Sequence, residues 1–137
     1  MIHLVVIGAA GKMGGRIIAN ALQDSQIKLV GVVEASGNPA LGQAAGGLKI
    51  TDDLKGVLAK ADVAIDFSTF TATLPNLQTA VALKKPLVIG TTGHTPDQKK
   101  EIEKGAAKPP VVFSPNMRVM VNVMWKILGV GAVALEN

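Results

Sequence analysis

Five short apolar runs punctuate the chain: Ile2–Ile7, Ile27–Val33, Val63–Ile65, Leu87–Ile89 and Val111–Phe113. They are rich in Val and Ile and nearly continuous, without the polar alternation of a half-solvated strand. Strands buried on both faces read this way. Stretches with helical spacing lie between them. Met13–Leu22 groups Met13, Ile17, Ile18 and Ala21; Asp53–Ala59 is short; Leu74–Leu83 groups Leu74, Leu77, Ala80 and Val81. A fourth helix opens at "TPDQ", with Thr95 as N-cap, Pro96 at the first helical position and Gln98 completing a capping box. The last stretch, Asn122–Leu135, is apolar on most sides. Strand and helix alternate throughout. That order predicts an α/β fold, a doubly wound and mostly parallel sheet with helices on both faces. The one long irregular segment, Glu34–Gly47, reads as a surface loop after the second strand.

The first run leads into a helix through Gly8, Gly11 and Gly14, spaced G-x-x-G-x-x-G. The first glycine lets the chain turn sharply. The second lets backbone amides approach a pyrophosphate, and the third lets helix and strand come close, so that the helix N-terminus faces the phosphates. Glycines at a strand–helix junction also serve packing alone. Two features favour a dinucleotide and a Rossmann-type fold. One is the strand before and the helix after. The other is Glu34, 20 residues past Gly14 at the end of the second strand, where a carboxylate accepts from the adenosine ribose hydroxyls. Taken by itself, Glu34 reads as a solvated loop acid.

In an open α/β sheet the ligand sits beyond the carboxyl ends of the strands. The third, fourth and fifth runs are followed by "DFSTF", "GTTGHT" and "SPNMRVMVN". Gly90-Thr91-Thr92-Gly93 combines flexible backbone with two hydroxyls, which suits a nicotinamide ring and its carboxamide; a plain turn is the alternative. Asp66 suits a helix N-cap or the binding of backbone amides. Asn116 suits a ligand contact or the cap of the final helix. His3 reads as a strand-end residue, and His94 as a loop residue first and a substrate contact second.

Composition narrows the classes. The 137 residues suit one domain with a real core. At 48% hydrophobic and 18% charged residues the chain is not of disordered type. With no cysteine there is no disulfide framework, and two isolated histidines among scattered acids predict no metal site. The net charge of +4 comes from dispersed lysines, and the four aromatics do not alternate with basic residues, so no nucleic-acid partner is expected. "MIHLVVIGAAG" lacks the basic leader of a signal peptide. No apolar stretch reaches the roughly 20 residues of a membrane span; "VMVNVMWKILGVGAVAL" is interrupted by Asn122 and Lys126. The expected location is cytoplasmic, with no membrane contact.

"GAAGKMG", "DFS", "VIGTTG" and "SPNMRVMVNV" occur in the order and spacing of one family. The chain resembles, over essentially its whole length, the nucleotide-binding half of dihydrodipicolinate reductase (4-hydroxy-tetrahydrodipicolinate reductase). The glycine turn is shared with many dehydrogenases; "VIGTTG" followed by "SPN" and a hydrophobic helix is far more specific. The resemblance implies NADH or NADPH as cofactor. It implies that Gly8, Ala9, Ala10, Gly11, Lys12 and Met13 hold the pyrophosphate and that Glu34 holds the adenosine ribose. Phe67 and Ser68 would flank the cofactor, Gly90, Thr91 and Thr92 would line the nicotinamide site, and Ser114, Pro115, Asn116 and Met117 would close over it. Ala35 and Lys12 stand where many members place Arg against a 2′-phosphate. "RVMVN" replaces the common "SVGVN", so Met120 stands at a usual glycine.

The reaction implied is NAD(P)H-dependent reduction of a dihydrodipicolinate-type ring to tetrahydrodipicolinate, in lysine and diaminopimelate biosynthesis. In the family a His-His pair, a Lys and a Ser-Gly-Thr loop lie beyond the final helix. The expectation is therefore a dinucleotide-binding domain over residues 1–121 and, over 122–137, an apolar helix leading toward a substrate domain. The catalytic residues stay unassigned, no turnover is expected from these residues alone, and a ring dicarboxylate substrate is expected only with a further domain. The apolar last helix predicts self-association through Val123, Ile127 and Val130. Two other readings stay open: a non-catalytic nucleotide-binding sensor or partner subunit, and an NAD(P)-dependent dehydrogenase of another family.

Overall fold

The computed structural model describes residues 1–107 and 109–135. Its elements run β1 (Ile2–Ile7), α1 (Lys12–Gln23), β2 (Ile27–Val33), β3 (Ala44–Ala45), β4 (Leu48–Lys49), α2 (Leu54–Leu58), β5 (Val63–Asp66), α3 (Phe70–Leu83), β6 (Leu87–Ile89), α4 (Pro96–Gly105), β7 (Val111–Phe113) and α5 (Val119–Leu135). The main sheet has the order β2-β1-β5-β6-β7, and each of its pairings is parallel. The five apolar runs of the sequence are its five strands. From β1 the chain steps outward to β2, then returns to β5 on the other side of β1. The strand order therefore reverses at the carboxyl ends of β1 and β5, the place where open α/β sheets take their ligands.

Alternation along β1 splits the interior into two layers. Leu4 and Val6 face Ile18 and Ala21 of α1, with Val32 and Ile50. Val5 and Ile7 face the other layer, with Leu58, Leu77, Leu87, Ile89 and Ile102 from α2, α3, β6 and α4. Both sides of the central strands are thus apolar, which is why those strands lack polar alternation.

The segment after β2 is not the solvated loop that its composition suggests. Ala44–Ala45 and Leu48–Lys49 pair as an antiparallel hairpin. Gly46 and Gly47 join them, with φ of 58° and 80°, the left-handed pair that a two-residue primed turn requires. Leu41 and Leu48 pack on the α1 layer, and Thr51 bridges back to Val33. The hairpin is too short to show as a strand pattern in the sequence.

Two helices begin earlier than the sequence suggests. α3 opens at Phe70 and carries Pro75 inside it; the apolar spacing that marks the helix begins only at Leu74, so the first turn after Thr69 does not show in it. α5 opens at Val119. Met120 is a good helix former where the family pattern carries glycine, so the helix extends past Asn122 toward its N-terminus. The expected border after residue 121 falls inside this helix. The α4 N-terminus matches its expectation: Gln98 donates its amide to Thr95 Oγ1 at 3.2 Å, and Thr95 donates its own to Gln98 Oε1 at 2.9 Å.

α5 stands apart from both interior layers. Val119, Met120, Ile127, Leu128 and Val130 are each more than half exposed, as is Val112 on β7. No helix among the described residues is long and apolar enough to cross a membrane.

Candidate functional site

The carboxyl ends of the parallel strands border a groove built of three adjoining clefts of 730, 600 and 450 Å³. Phe67, just past β5, lines all three. The first cleft lies over β1 and β2 and includes Gly8, Ala10, Gly11, Glu34 and Ala35. The second runs along the start of α1 and past β6, with Lys12, Met13, Ser68, Thr91 and Thr92. The third reaches the loop after β7, with Gly90, Ser114, Pro115, Asn116 and Met117.

The three glycines of the turn have different reasons to be there. At Gly8, with φ of 81°, a Cβ would lie 2.5 Å from the Phe67 carbonyl oxygen. At Gly14 it would run into the Gly8 carbonyl and lie 2.9 Å from Ala9 Cα. Those two glycines pack β1, α1 and the loop after β5 together. Gly11 is the exception: its φ is −74°, and a Cβ would meet only the Gly8 carbonyl oxygen, at 3.2 Å. Packing constrains Gly11 less than the other two, since only the Gly8 carbonyl would have to give, by a few tenths of an ångström, and the space it leaves lies over the start of α1. That helix has no side-chain cap and no acid in its first turn. The amides of Lys12 and Met13, at its first two positions, have no partner within the helix. An anion fits this end by both charge and hydrogen bonding.

Glu34 stands beside the turn. Its Oε1 accepts from the Ala10 amide at 2.8 Å, and its Oε2 accepts from Asn38 Nδ2 at 3.1 Å and from the Ala35 amide at 3.3 Å. Its own amide donates to the Thr51 carbonyl at 3.0 Å. The acid is thus aimed into the first cleft by both its side chain and its backbone.

Asp66 ends β5 and is fully buried. Its carboxylate accepts from the Ser68 amide at 2.8 Å, from Asn76 Nδ2 at 3.0 Å and from Thr91 Oγ1 at 3.5 Å. Of the two roles that the sequence offers, Asp66 takes the second and gathers backbone and side-chain donors. Thr91 is buried, and its hydroxyl also donates to the Asp66 carbonyl at 3.3 Å. Both threonines of the GTTG loop line the second cleft, but Thr91 turns its hydroxyl to Asp66 while Thr92 is exposed. Gly90 lies directly beneath the Phe67 ring, in space that any side chain would need. Asn116 Oδ1 accepts from the Arg118 amide at 2.9 Å, and the Asn116 carbonyl accepts from Ser114 Oγ and Asn122 Nδ2. Asn116 therefore leads the chain into α5 while also lining the third cleft.

Of the residues expected to hold the cofactor, all but one line this groove. Ala9 points into the α1 layer and is buried; its place in the turn is set by core packing. Neither histidine lines the three clefts. His3 sits at the opposite end of the sheet, with Nδ1 3.1 Å from Asp62. His94 is buried behind the GTTG loop, 2.9 Å from Thr73 Oγ1 and edge-on to Phe113. Sequence reading did not find Asn38, Gln43, Asp52 and Asn76, all of which line the first cleft. For Asn38 a signal exists, because Asn38-Pro39 is a turn-forming dipeptide; what it turns toward is visible only in three dimensions.

Residues 2–117 match the family described as dihydrodipicolinate reductase, N-terminus. The chain belongs to this family. The 4-hydroxy-tetrahydrodipicolinate reductase of Burkholderia vietnamiensis is 42% identical over 132 residues, covering 91% of this chain and 50% of the relative. That of Citrifermentans bemidjiense is 40% identical over 136 residues, covering 93% and 51%. The chain thus spans about half the length of the curated relatives it matches. In fold it is similar to a dipicolinate-bound dihydrodipicolinate reductase from Paenisporosarcina sp. TG-14, with a TM-score of 0.79 at 23% identity over 96% of this chain and 54% of the other. A structure of RSP in complex with beta-NADH shares the fold at a TM-score of 0.65 and 13% identity, over all of this chain and 65% of that one. The Rossmann-type architecture expected from the alternating strands and helices is the one the family and these structures share.

Proposed function

We propose that the chain binds a nicotinamide dinucleotide along this groove, as the cofactor-holding part of a reductase. The observation that carries the reading is the uncapped start of α1, left open by Gly11, with the Glu34 carboxylate held 2.8 Å from the amide of Ala10 beside it. The pyrophosphate lies against the turn from Gly8 to Met13, and the adenosine ribose lies against Glu34. Phe67 and Ser68 separate the two halves of the cofactor. The nicotinamide lies toward Gly90, Thr91 and Thr92, with Ser114 to Met117 as the far wall. When bound, the cofactor supplies hydride. The residues of this chain bind it, orient it and exclude water from one side of it.

NADH binds at least as well as NADPH in this reading. The first cleft is lined by Glu34 and Asp52 and, among the described residues, by no Lys or Arg. Ala35 offers no cation, and Lys12 lines the second cleft rather than the first. A 2′-phosphate would meet uncompensated negative charge.

The reductases that the chain matches suggest the rest: a ring dicarboxylate of the dihydrodipicolinate type as substrate, and a cytoplasmic biosynthetic setting. Reduction also needs the substrate placed and a proton donor, and neither His3 nor His94 reaches the groove. Residues 1–121 then form the cofactor-binding unit, and α5 leads away from it. Titration with NADH, followed by nucleotide fluorescence, tests the reading. Binding by the parent chain and loss of it in Gly11→Val, with circular dichroism unchanged, is expected; equal affinity in both would overturn it. Calorimetry with the two cofactors tests the preference. A tenfold advantage for NADPH, about 1.4 kcal/mol, would reverse it.

A further inference from the structure

Asn38 is held at four points. Its amide donates to the Ala35 carbonyl and its carbonyl accepts from the Leu41 amide, each at 3.1 Å. Its Oδ1 accepts from the Ala40 amide at 2.9 Å, and its Nδ2 donates to Glu34 Oε2 at 3.1 Å. These bonds fix which way the side-chain amide faces. Turned over, it would set its oxygen against the Glu34 carboxylate and its NH₂ against the Ala40 N–H, two repulsive pairs in place of two bonds. Ala40 is itself anchored, since it packs with Leu41 on the α1 layer. A chain of contacts therefore runs from the core through Ala40 and Asn38 to Glu34, and from Glu34 to the Ala10 amide of the glycine turn.

We propose that Asn38 is a positioning residue that sets discrimination between a 2′-hydroxyl and a 2′-phosphate on the adenosine ribose, by holding the Glu34 carboxylate over the glycine turn. The inference rests on the dinucleotide reading above. Glu34 ends a long, rotatable side chain at the mouth of a cleft. Held in place, it accepts from a ribose hydroxyl and repels a phosphate at the same position. Released, it can swing toward solvent, and both effects fade together. Asn38 supplies one of the two side-chain-fixing bonds on Oε2 and the only one that comes from another side chain among the described residues.

The test is a cycle of variants read as the ratio of NADPH to NADH dissociation constants, by calorimetry. Asn38→Ser keeps an oxygen that can accept from the Ala40 amide, so the turn persists, but its hydroxyl is too short to hold Glu34. The expected result is at least a fivefold fall in the ratio, with NADH weakened and NADPH not weakened. In a Glu34→Ala background the same Asn38→Ser change should leave the ratio unmoved, because Asn38 acts only through that acid. An unchanged ratio in the single variant, including equal loss of both cofactors, would overturn the proposal. So would an equal shift with and without Glu34. If the parent chain binds neither cofactor, the dinucleotide reading fails and this inference falls with it; binding by the parent with an unmoved ratio removes this inference alone.

Discussion

His94 Nε2 lies 2.9 Å from Thr73 Oγ1, and that hydroxyl donates its own proton to the Thr69 carbonyl at 3.2 Å. With the Thr73 proton donated to the Thr69 carbonyl, the His94–Thr73 bond takes the neutral tautomer that carries hydrogen on Nε2. Burial pushes the His94 pKa below the ordinary histidine range; the Asp66 carboxylate opposes this, and Lys99 adds to it. A group depressed in the folded state binds its proton more readily when unfolded. Its contribution to stability is complete above about pH 6.5 and is lost as pH falls through the lower folded value. His94→Phe keeps an aromatic ring against Phe113 and removes the proton-binding group. It should cost about 1 kcal/mol at pH 7.5 through the lost hydrogen bond, and the deficit should narrow as pH falls below 6. Urea midpoints of parent and variant at pH 7.5 and 5.5 measure this; a gap that widens toward acid would contradict it.

Gly14 and Gly11 should separate stability from binding. Gly14→Ala presses a methyl group against the Gly8 carbonyl, where backbone rather than a flexible side chain must give way. A loss of about 1–3 kcal/mol is expected from the overpacking, seen as a lower melting temperature. Gly11→Ala meets one backbone oxygen at 3.2 Å, so its melting temperature should fall less than that of Gly14→Ala. The reverse order of the two melting temperatures would show that the turn packs differently.

Asp66→Ala removes the oxygens that accept from the Ser68 amide and Thr91 Oγ1 on Oδ1 and from Asn76 Nδ2 on Oδ2. Buried donors then lose their partner, at about 1–3 kcal/mol. The loops after β5 and β6 should loosen together. Amide hydrogen exchange should therefore quicken at both Ser68 and Thr91. Faster exchange at only one of them would mean that the carboxylate does not couple the two loops.

The parts of the groove that the sequence discloses are those whose chemistry is local. The glycine turn, the acid at the end of β2 and the capping box of α4 depend on residues within a few positions or one βαβ unit, so spacing reveals them. Asn38 escapes that reading because its hold on Glu34 depends on a turn anchored through Ala40, which packs on the α1 layer only in the folded chain. Thr91 escapes it in another way: a threonine in a polar loop reads as a ligand hydroxyl until the buried Asp66 claims it. Ala9 shows the converse, a member of a binding motif whose side chain serves the core.

α5 should draw the chain into self-association. Val123, Ile127 and Val130 are 48%, 65% and 67% exposed, and contiguous apolar surface of this kind is rarely left bare in water. Trp125 is the only tryptophan and is half exposed on the same helix. Its emission should shift to shorter wavelength as protein concentration rises, in step with mass by light scattering. Ile127→Glu with Leu128→Lys should restore monomer mass. A monomer at every concentration of the parent chain would end this expectation.

Parallel strands enter the main sheet from one side and leave it on the other. Met1 is 80% exposed at the entry side, and the six residues of β1 lie between it and Gly8, a separation of roughly 23 Å. The His3–Asp62 pair and the Lys85 ammonium, which donates to the Ala61 carbonyl, also belong to the entry side. An affinity tag, a dye or a sensor surface attached to the amino terminus therefore sits on the far side of the sheet from every loop that borders the groove. Immobilised in that orientation, the protein presents its groove to the bulk solution.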